Sequence, residues 1–365
     1  MVSEVLKGWL AMLISTALAA AIGMSSMASP TRALRSASVA SSTVVTPAAA
    51  PPSKPHGVYQ FLGQVHPDDA TNPNIDGALL VFTWSQVEPT KGVFDWSAVE
   101  AAIQPWAVAG KKIALRIHTA SSVLFNANWN GETAGQATPS WVFAEGVRSV
   151  TDPNGSVLPV YWDPAYEHEL WATIRAFAAR YNGDPRIAWV EAASGYDGES
   201  FVEPSSHVGV LARWQAVGYS DAVWQQTVYW TWDVYKRFFT IPVAVEDKGL
   251  QISGVNDFRL FADHAVRAGL WVTHNGLSEL AYTWNYAAAL KNASATTGCA
   301  LEEKDKLPPT AAGAAQFLTR IRAVRRVGCQ IVLIYPAEVQ AASAGGPTYQ
   351  PAWVSALSQA QALLG

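Results

Sequence analysis

The chain has 365 residues, half of them hydrophobic and 15% charged, with a formal net charge of -4. That length holds one large buried core, and the near-neutral balance excludes the basic surface of a nucleic-acid binder. Sixteen Trp and twelve Tyr are the one strong bias: most such rings fill cores, but flat rings also stack on the apolar faces of sugars in clefts.

Residues 1–28 read as a signal peptide. Lys7 precedes an apolar run from Trp9 to Ile22 that is short for a bilayer span, and Ser26, Met27 and Ala28 are the small residues a signal peptidase reads. Export follows, with no stable membrane insertion after cleavage; an uncleaved anchor is the alternative. Residues 29–55 are rich in Ser, Ala and Pro with hardly a charge, the composition of a disordered linker. The remainder, 56–365, reads as one barrel.

From Gly57 onward short apolar strands alternate with helical stretches. Strands are predicted at 56–63, 77–89, 111–120, 186 onward, 241–249, 270–276, 299–305 and 329–339. Helices are predicted at 93–110, with Asp95 as N-cap, and at 163–183, where Asp163 caps and Pro164 takes the first position. Further helices fall at 221–239, 257–269, 309–328 and from Pro351 to the end, while 121–160 is a long loop. Eight strands separated mostly by helices fit a single (β/α)8 TIM barrel with extended βα loops. An open doubly wound sheet fits less well, because no GxGxxG phosphate loop follows the first strand. Cys299 and Cys329 each follow a Gly at the head of a strand; a disulfide and two buried thiols are both compatible with that placement. The spacing of a structural metal site is absent, and no cofactor is expected.

The organising stretch is RIAWVEAASGYDGESF, 186–201. An apolar run breaks into two glycines and then delivers Glu199 at the C-terminal end of strand four, the end where barrels place their chemistry. Strand seven ends in Glu302 and Glu303 on the opposing side of the ring. Hydrolysis of a glycosidic bond needs two such carboxyls, one protonated to donate to the leaving oxygen and one ionised. Neighbouring strand residues point to opposite faces, so only one of Glu302 and Glu303 faces the mouth, and the sequence leaves the register open.

The run FTWSQVEPTKGVFDW, 82–96, resembles the W-x-x-x-E-P-x-x-G-x-[FY]-D-[FW] signature of clan A glycoside hydrolases, the beta-galactosidase-type barrels and related secreted barrels. The segment from Tyr161 to Ser200 is similar to the same clan, in which a helix ending in RY-x-x-D/N-P precedes strand four and its acid/base Glu. The resemblance implies a carbohydrate substrate, Glu199 as acid/base and Glu302 as nucleophile with Glu303 as its rival, and retention of anomeric configuration. Two features depart from the pattern. Gly198 stands where the clan has Asn, and Thr83 where strand two often carries Arg. Arg116 on strand three is the candidate to hold the nucleophile ionised.

Position supplies the remaining substrate-binding candidates: Trp84 ending strand two, His118 ending strand three, Glu246 with Asp247 ending strand five, and His274 with Asn275 ending strand six. Asp197 is near enough in sequence to raise the pKa of Glu199, or it caps its own turn. Tyr335 takes the place where the clan puts an aromatic floor under the sugar. Glu191, deeper in strand four, reads as a buried partner of Arg116. An inert sugar-binding barrel is the competing reading, and a metal-dependent hydrolase lacks HxH or HExxH spacing.

Overall fold

The computed structural model describes residues 54–61, 68–122, 136–250, 252–253 and 258–365. The expected signal peptide and nearly all of the expected linker lie outside the described residues.

Eight parallel strands close into a barrel: β1 Gly57–Phe61, β2 Gly77–Thr83, β3 Lys112–His118, β4 Ile187–Ala192, β5 Val243–Glu246, β6 Trp271–Leu277, β7 Cys299–Glu303 and β8 Ile331–Ile334. Each pairs with its sequence neighbours and β8 closes onto β1, with Val58 opposite Val332 and Tyr59 opposite Leu333. The helices α1 Ser97–Val108, α2 Pro164–Tyr181, α3 Asp221–Phe238, α4 Phe258–Arg267, α5 Ala287–Thr296, α6 Ala311–Val327 and α7 Pro351–Leu364 lie between or after the strands. Among the described residues no helix is long and apolar enough to cross a membrane.

The strands are buried on both faces, so their residues alternate between two cores rather than between core and solvent. Tyr59, Phe61, Leu79, Val81, Ala114, Trp189, Ala244, Trp271, Ala300, Ile331 and Leu333 fill the barrel interior. Their neighbours in sequence, such as Leu80, Leu115, Val190, Val245 and Val332, pack outward under the helices. Trp189 is the main plug, with Tyr59 edge-on at 4.8 Å and Trp271 stacked at 6.4 Å. Truncating a buried Trp of this kind to Ala costs about 3–5 kcal/mol through lost transfer energy and the cavity left behind.

Local signals set most boundaries. Asp163 caps α2 by accepting from Ala165 N at 3.1 Å, with Pro164 at the first position. Thr310 caps α6, and Gly328 ends it at φ 97°, a left-handed conformation open to Gly. Other boundaries differ from expectation. Strand two stops at Thr83, whose hydroxyl and backbone N–H form a capping box with Gln86, so Trp84–Val87 is a helical turn. The N-cap of α1 is Trp96, while Asp95 accepts from Ser97 N at 2.9 Å. The long loop at 121–160 contains an antiparallel hairpin, Ser149–Thr151 with Val157–Pro159. Helix α5 was not foreseen because AAALKNASAT has neither a side-chain cap nor a clear apolar stripe. Cys299 and Cys329 are joined in a disulfide, their Cα atoms 5.0 Å apart.

Candidate active site

Continuing the inward alternation toward the C-terminal strand ends exchanges apolar plugs for charge. Above Ala114 comes Arg116, above Trp189 comes Glu191, above Ala244 comes Glu246, and above Ala300 comes Glu302. Arg116, 2% exposed, is the hub. Its Nε donates to Glu191 Oε2 at 2.7 Å and its Nη2 to Glu246 Oε2 at 3.0 Å, with a second bond from Nη2 to Glu191. Burial alone would strip the guanidinium of its proton more readily, but Glu191, Glu246 and Glu302 reverse that and hold it charged. Trp189 Nε1, 3.4 Å from Glu191 Oε1, ties this polar layer to the plug below.

Glu199 reaches the same cluster from the loop after β4. That loop is fixed by main-chain bonds: Asp197 N to Ala120 O at 3.0 Å and Tyr196 N to Phe201 O at 3.0 Å. Asp197 Oδ1 accepts from Ser122 N at 2.9 Å. Gly198 has φ 85°, and a Cβ there would lie 3.0 Å from the His118 ring and 3.1 Å from Arg116 Cδ. The turn therefore passes directly over β3, and this close approach explains why Gly stands where the resembled clan has Asn. An Asn does meet Glu199, but from another strand: Asn275 Nδ2 donates to Glu199 Oε1, and Lys248 Nζ donates to Asn275 Oδ1. Burial and the neighbouring Glu246 carboxylate raise the pKa of Glu199 well above the usual carboxylate range, against the opposing charge of Lys248. Asp197 is pushed up to about 7, chiefly by burial.

Glu302 points inward and is 5% exposed; burial and Glu246 raise its pKa well above the ordinary value, Arg116 opposes, and the charge of Glu199 raises it further. The Glu199 charge acts on Glu302, so Glu302 does not titrate independently of the acid above it. Glu303 points outward, where Arg320 of α6 donates to its Oε2. Tyr335, after β8, lies 6.1 Å from the ring of Phe61 and close enough to Glu302 to feel its charge. His118 is fully buried under the Gly198 turn and is held neutral by burial and Arg116. Asp247 is buried, and its Oδ1 accepts from Gly249 N at 3.0 Å.

Trp84 is not at the mouth. It is wholly buried, donates to Glu88 Oε2 at 2.8 Å and packs edge-on against Trp141 and Tyr166, because the strand has already ended at Thr83. Glu88, the acid of the W-x-x-x-E-P run, is scaffold: it also accepts from Thr173 Oγ1 at 2.7 Å and Gly92 N at 2.8 Å. The run thus fastens the loop after β2 to α2 and does not itself line the site.

Beside Glu199, a cavity of ≈ 510 Å³ opens at the ends of β5, β6 and β7, lined among others by Lys248, His274, Asn275, Trp284, Tyr286 and Lys304. His274 stacks on Tyr286 at 3.9 Å and meets Phe258 at 5.1 Å. Lys248, Lys304, Trp284 and Tyr286 were not singled out in the sequence. A lone Lys carries no motif, and the Trp284 segment follows β6 without periodicity; only the strand-end position of Lys248, next to Glu246 and Asp247, was a usable signal. Among the described residues no group of three or more His, Cys, Asp or Glu is arranged to hold a metal ion.

No family model and no curated relative matches the sequence. Among solved structures, the catalytic domain of a beta-amylase from Paenibacillus polymyxa is similar over 83% of this chain and 97% of that one, at 12% identity with a TM-score of 0.60. Endo-glycoceramidase II from Rhodococcus sp., as a lactosyl-enzyme intermediate, matches 76% of this chain and 72% of its own at 15% identity with a TM-score of 0.43. At these identities the likeness to the amylase domain is one of fold, a closed (β/α)8 barrel.

Proposed function

We propose that this barrel is a glycoside hydrolase of the clan A type, which cleaves a glycosidic bond in an oligo- or polysaccharide by double displacement with retention. The observation that carries the reading is the convergence of Glu199 and Glu302, from opposing strand ends, on one buried cluster around Glu246, where burial and neighbouring carboxylates raise both pKa values. A coupled pair holding one proton is the species the chemistry needs.

Glu199, on the outer rim with Asn275 and Lys248, is the proton donor to the leaving oxygen. Glu302, deeper and beside Arg116, attacks the anomeric carbon as the carboxylate. The glycosyl–Glu302 ester is then opened by water, whose proton passes to Glu199 as its oxygen bonds the anomeric carbon, and Glu302 leaves as carboxylate. Arg116 positions Glu191 and Glu246 and spreads positive charge beneath Glu302. Tyr335 lies beside the attacking carboxyl as part of the sugar floor. The reading places the enzyme outside the cytoplasm, from the targeting pattern in residues 1–28.

The test is hydrolysis of a broad panel of aryl glycosides and polysaccharides by wild type, Glu199→Ala and Glu302→Ala, with azide as external nucleophile. Loss of activity in both variants, with azide rescuing one as a glycosyl azide, supports the proposal. An inactive wild type that still binds oligosaccharides would leave a sugar-binding barrel instead.

A further inference from the structure

We propose that the cavity beside Glu199 is a subsite for a sugar bearing an anionic group, a carboxylate or a sulfate, gripped by Lys248 and Lys304 over the Trp284 ring. This rests on the hydrolase reading and names its substrate class.

Three independent features of the cavity point the same way. Its charge is one-sided. Lys248 and Lys304 line it, and among the described residues no carboxylate does. Lys304 is exposed and meets no partner among them. An ammonium can take a carboxylate or sulfate as a point charge from either direction, and two of them at one concave site raise the local concentration of an anionic ligand.

Its aromatic wall is set for a ring. Trp284 is 44% exposed and lines the cavity, with the Tyr286 ring tilted 5.7 Å from it. An exposed indole in a cavity that also carries ammonium groups matches the apolar face of a charged pyranose.

Its third element is a buried polar group with nothing to bond. His274 is 5% exposed, lines the cavity, and neither ring nitrogen has a hydrogen-bond partner among the described residues. Burial, with Lys248 adding, keeps the imidazole neutral, with one donor and one acceptor enclosed at the cavity wall, which a ligand hydroxyl meets once the ring turns toward it. The ring lies so close to Gly276 that a Cβ there would be 2.6 Å from His274 Cε1, so glycine is what allows this orientation. Leaving such a group unpaired is unfavourable, and a hydrogen bond from a bound ligand relieves it.

Lys248 also stands where it works against the proposed acid. Its charge lowers the pKa of Glu199, and both side chains bond Asn275. An anionic substrate group neutralises that charge when it binds, so the acid is best poised only with the matching sugar in place.

The experiment compares matched aryl glycosides: glucuronide against glucoside, galacturonide against galactoside, and 6-sulfo-N-acetylglucosaminide against N-acetylglucosaminide. The expected result is that one anionic member is cleaved with kcat/KM at least tenfold above its neutral counterpart. Lys304→Gln should erase most of that preference, Lys304→Arg should restore part of it, and added salt should raise KM for the anionic member alone. The carboxylate and sulfate pairs tell the two sources of charge apart. If neutral members are cleaved as well as or better than their anionic counterparts, the subsite is overturned while the hydrolase reading stands. If nothing is cleaved, calorimetry with oligogalacturonide and with chondroitin sulfate oligosaccharides decides. Lys304-dependent binding upholds the subsite and sinks the hydrolase reading, and no binding overturns both.

Discussion

Glu302 and Glu303 are adjacent on β7 and stand on opposite sides of the barrel wall, the first in the Arg116 cluster and the second against Arg320 of α6. The two neighbours therefore differ in what they do. Glu303 is pushed up to about 8 by burial against the pull of Arg320. Arg320 also holds Glu279 at 3.2 Å and so keeps one partner if Glu303 is changed. Glu302→Gln should lower kcat on the order of 10⁴-fold with little change in stability. Glu303→Gln should keep activity and lose about 1–3 kcal/mol of stability. Steady-state kinetics beside urea midpoints separate the two; an inactive but fully folded Glu303→Gln would move the nucleophile to the outer face.

Arg116 bonds both Glu191 and Glu246, all three side chains almost wholly buried. Arg116→Met leaves those carboxyls buried without their counter-charge, and breaking a buried pair from one side costs about 3–5 kcal/mol. The variant should unfold at lower urea and regain part of the loss as pH falls and the carboxyls protonate. A urea midpoint within error of wild type at pH 7.5 would show that the cluster does not depend on the guanidinium.

The barrel was legible because strands buried on both faces leave unbroken apolar runs, and Pro, Asp, Thr and Gly punctuate the helices between them. Glu199, Glu302, Arg116 and Asn275 were legible for the same reason, as the polar residues where those runs end. What the sequence hid is decided by where strands stop and which way they face. Trp84 reads as a strand-end aromatic only if β2 runs on past the Thr83 cap. The choice between Glu302 and Glu303 is a one-residue register that alternation of two apolar faces does not mark. The cavity at Lys248, His274, Trp284 and Lys304 joins β6 to the segments that follow β5, β6 and β7, and no local pattern encodes that meeting.

The Cys299–Cys329 bond ties the head of β7 to the entrance of β8 across 30 residues of chain that include α6. Closing a loop of that length stabilises by about 3.6 kcal/mol in the chain-entropy account. Both sulfurs are buried, so the double Cys→Ala variant should fold and lose about that amount, and dithiothreitol should act on native protein slowly. Melting curves of wild type with and without reductant, against the double variant, give the number; identical curves would show that the bond adds nothing to the fold.

Asp197 offers a test of pH dependence with the chemistry left intact at the two central carboxyls. It is held at φ 54°, a conformation that Asn adopts readily, and its Oδ1 accepts from Ser122 N, as an amide oxygen also would. Burial, and after the opposing Ser122 bond the charge of Glu246, push its pKa up to about 7 from the ordinary 3.8. A raised acid binds its proton more tightly folded than unfolded, so its contribution to stability is fully present below pH 3.8 and is lost as pH rises through about 7. At about 1.4 kcal/mol per pKa unit the loss is at most on the order of 4 kcal/mol, less whatever solvent reaches the half-buried carboxyl. Glu303 and Glu338, pushed up to about 8 and about 7 by burial, tilt the wild type the same way, so its stability falls overall between pH 5 and pH 8. In Asp197→Asn that fall should be shallower, with the variant matching wild type near pH 4.5 and exceeding it near pH 8. Chemical denaturation across this range reads the difference, and parallel curves would mean that Asp197 is already ionised in the folded protein.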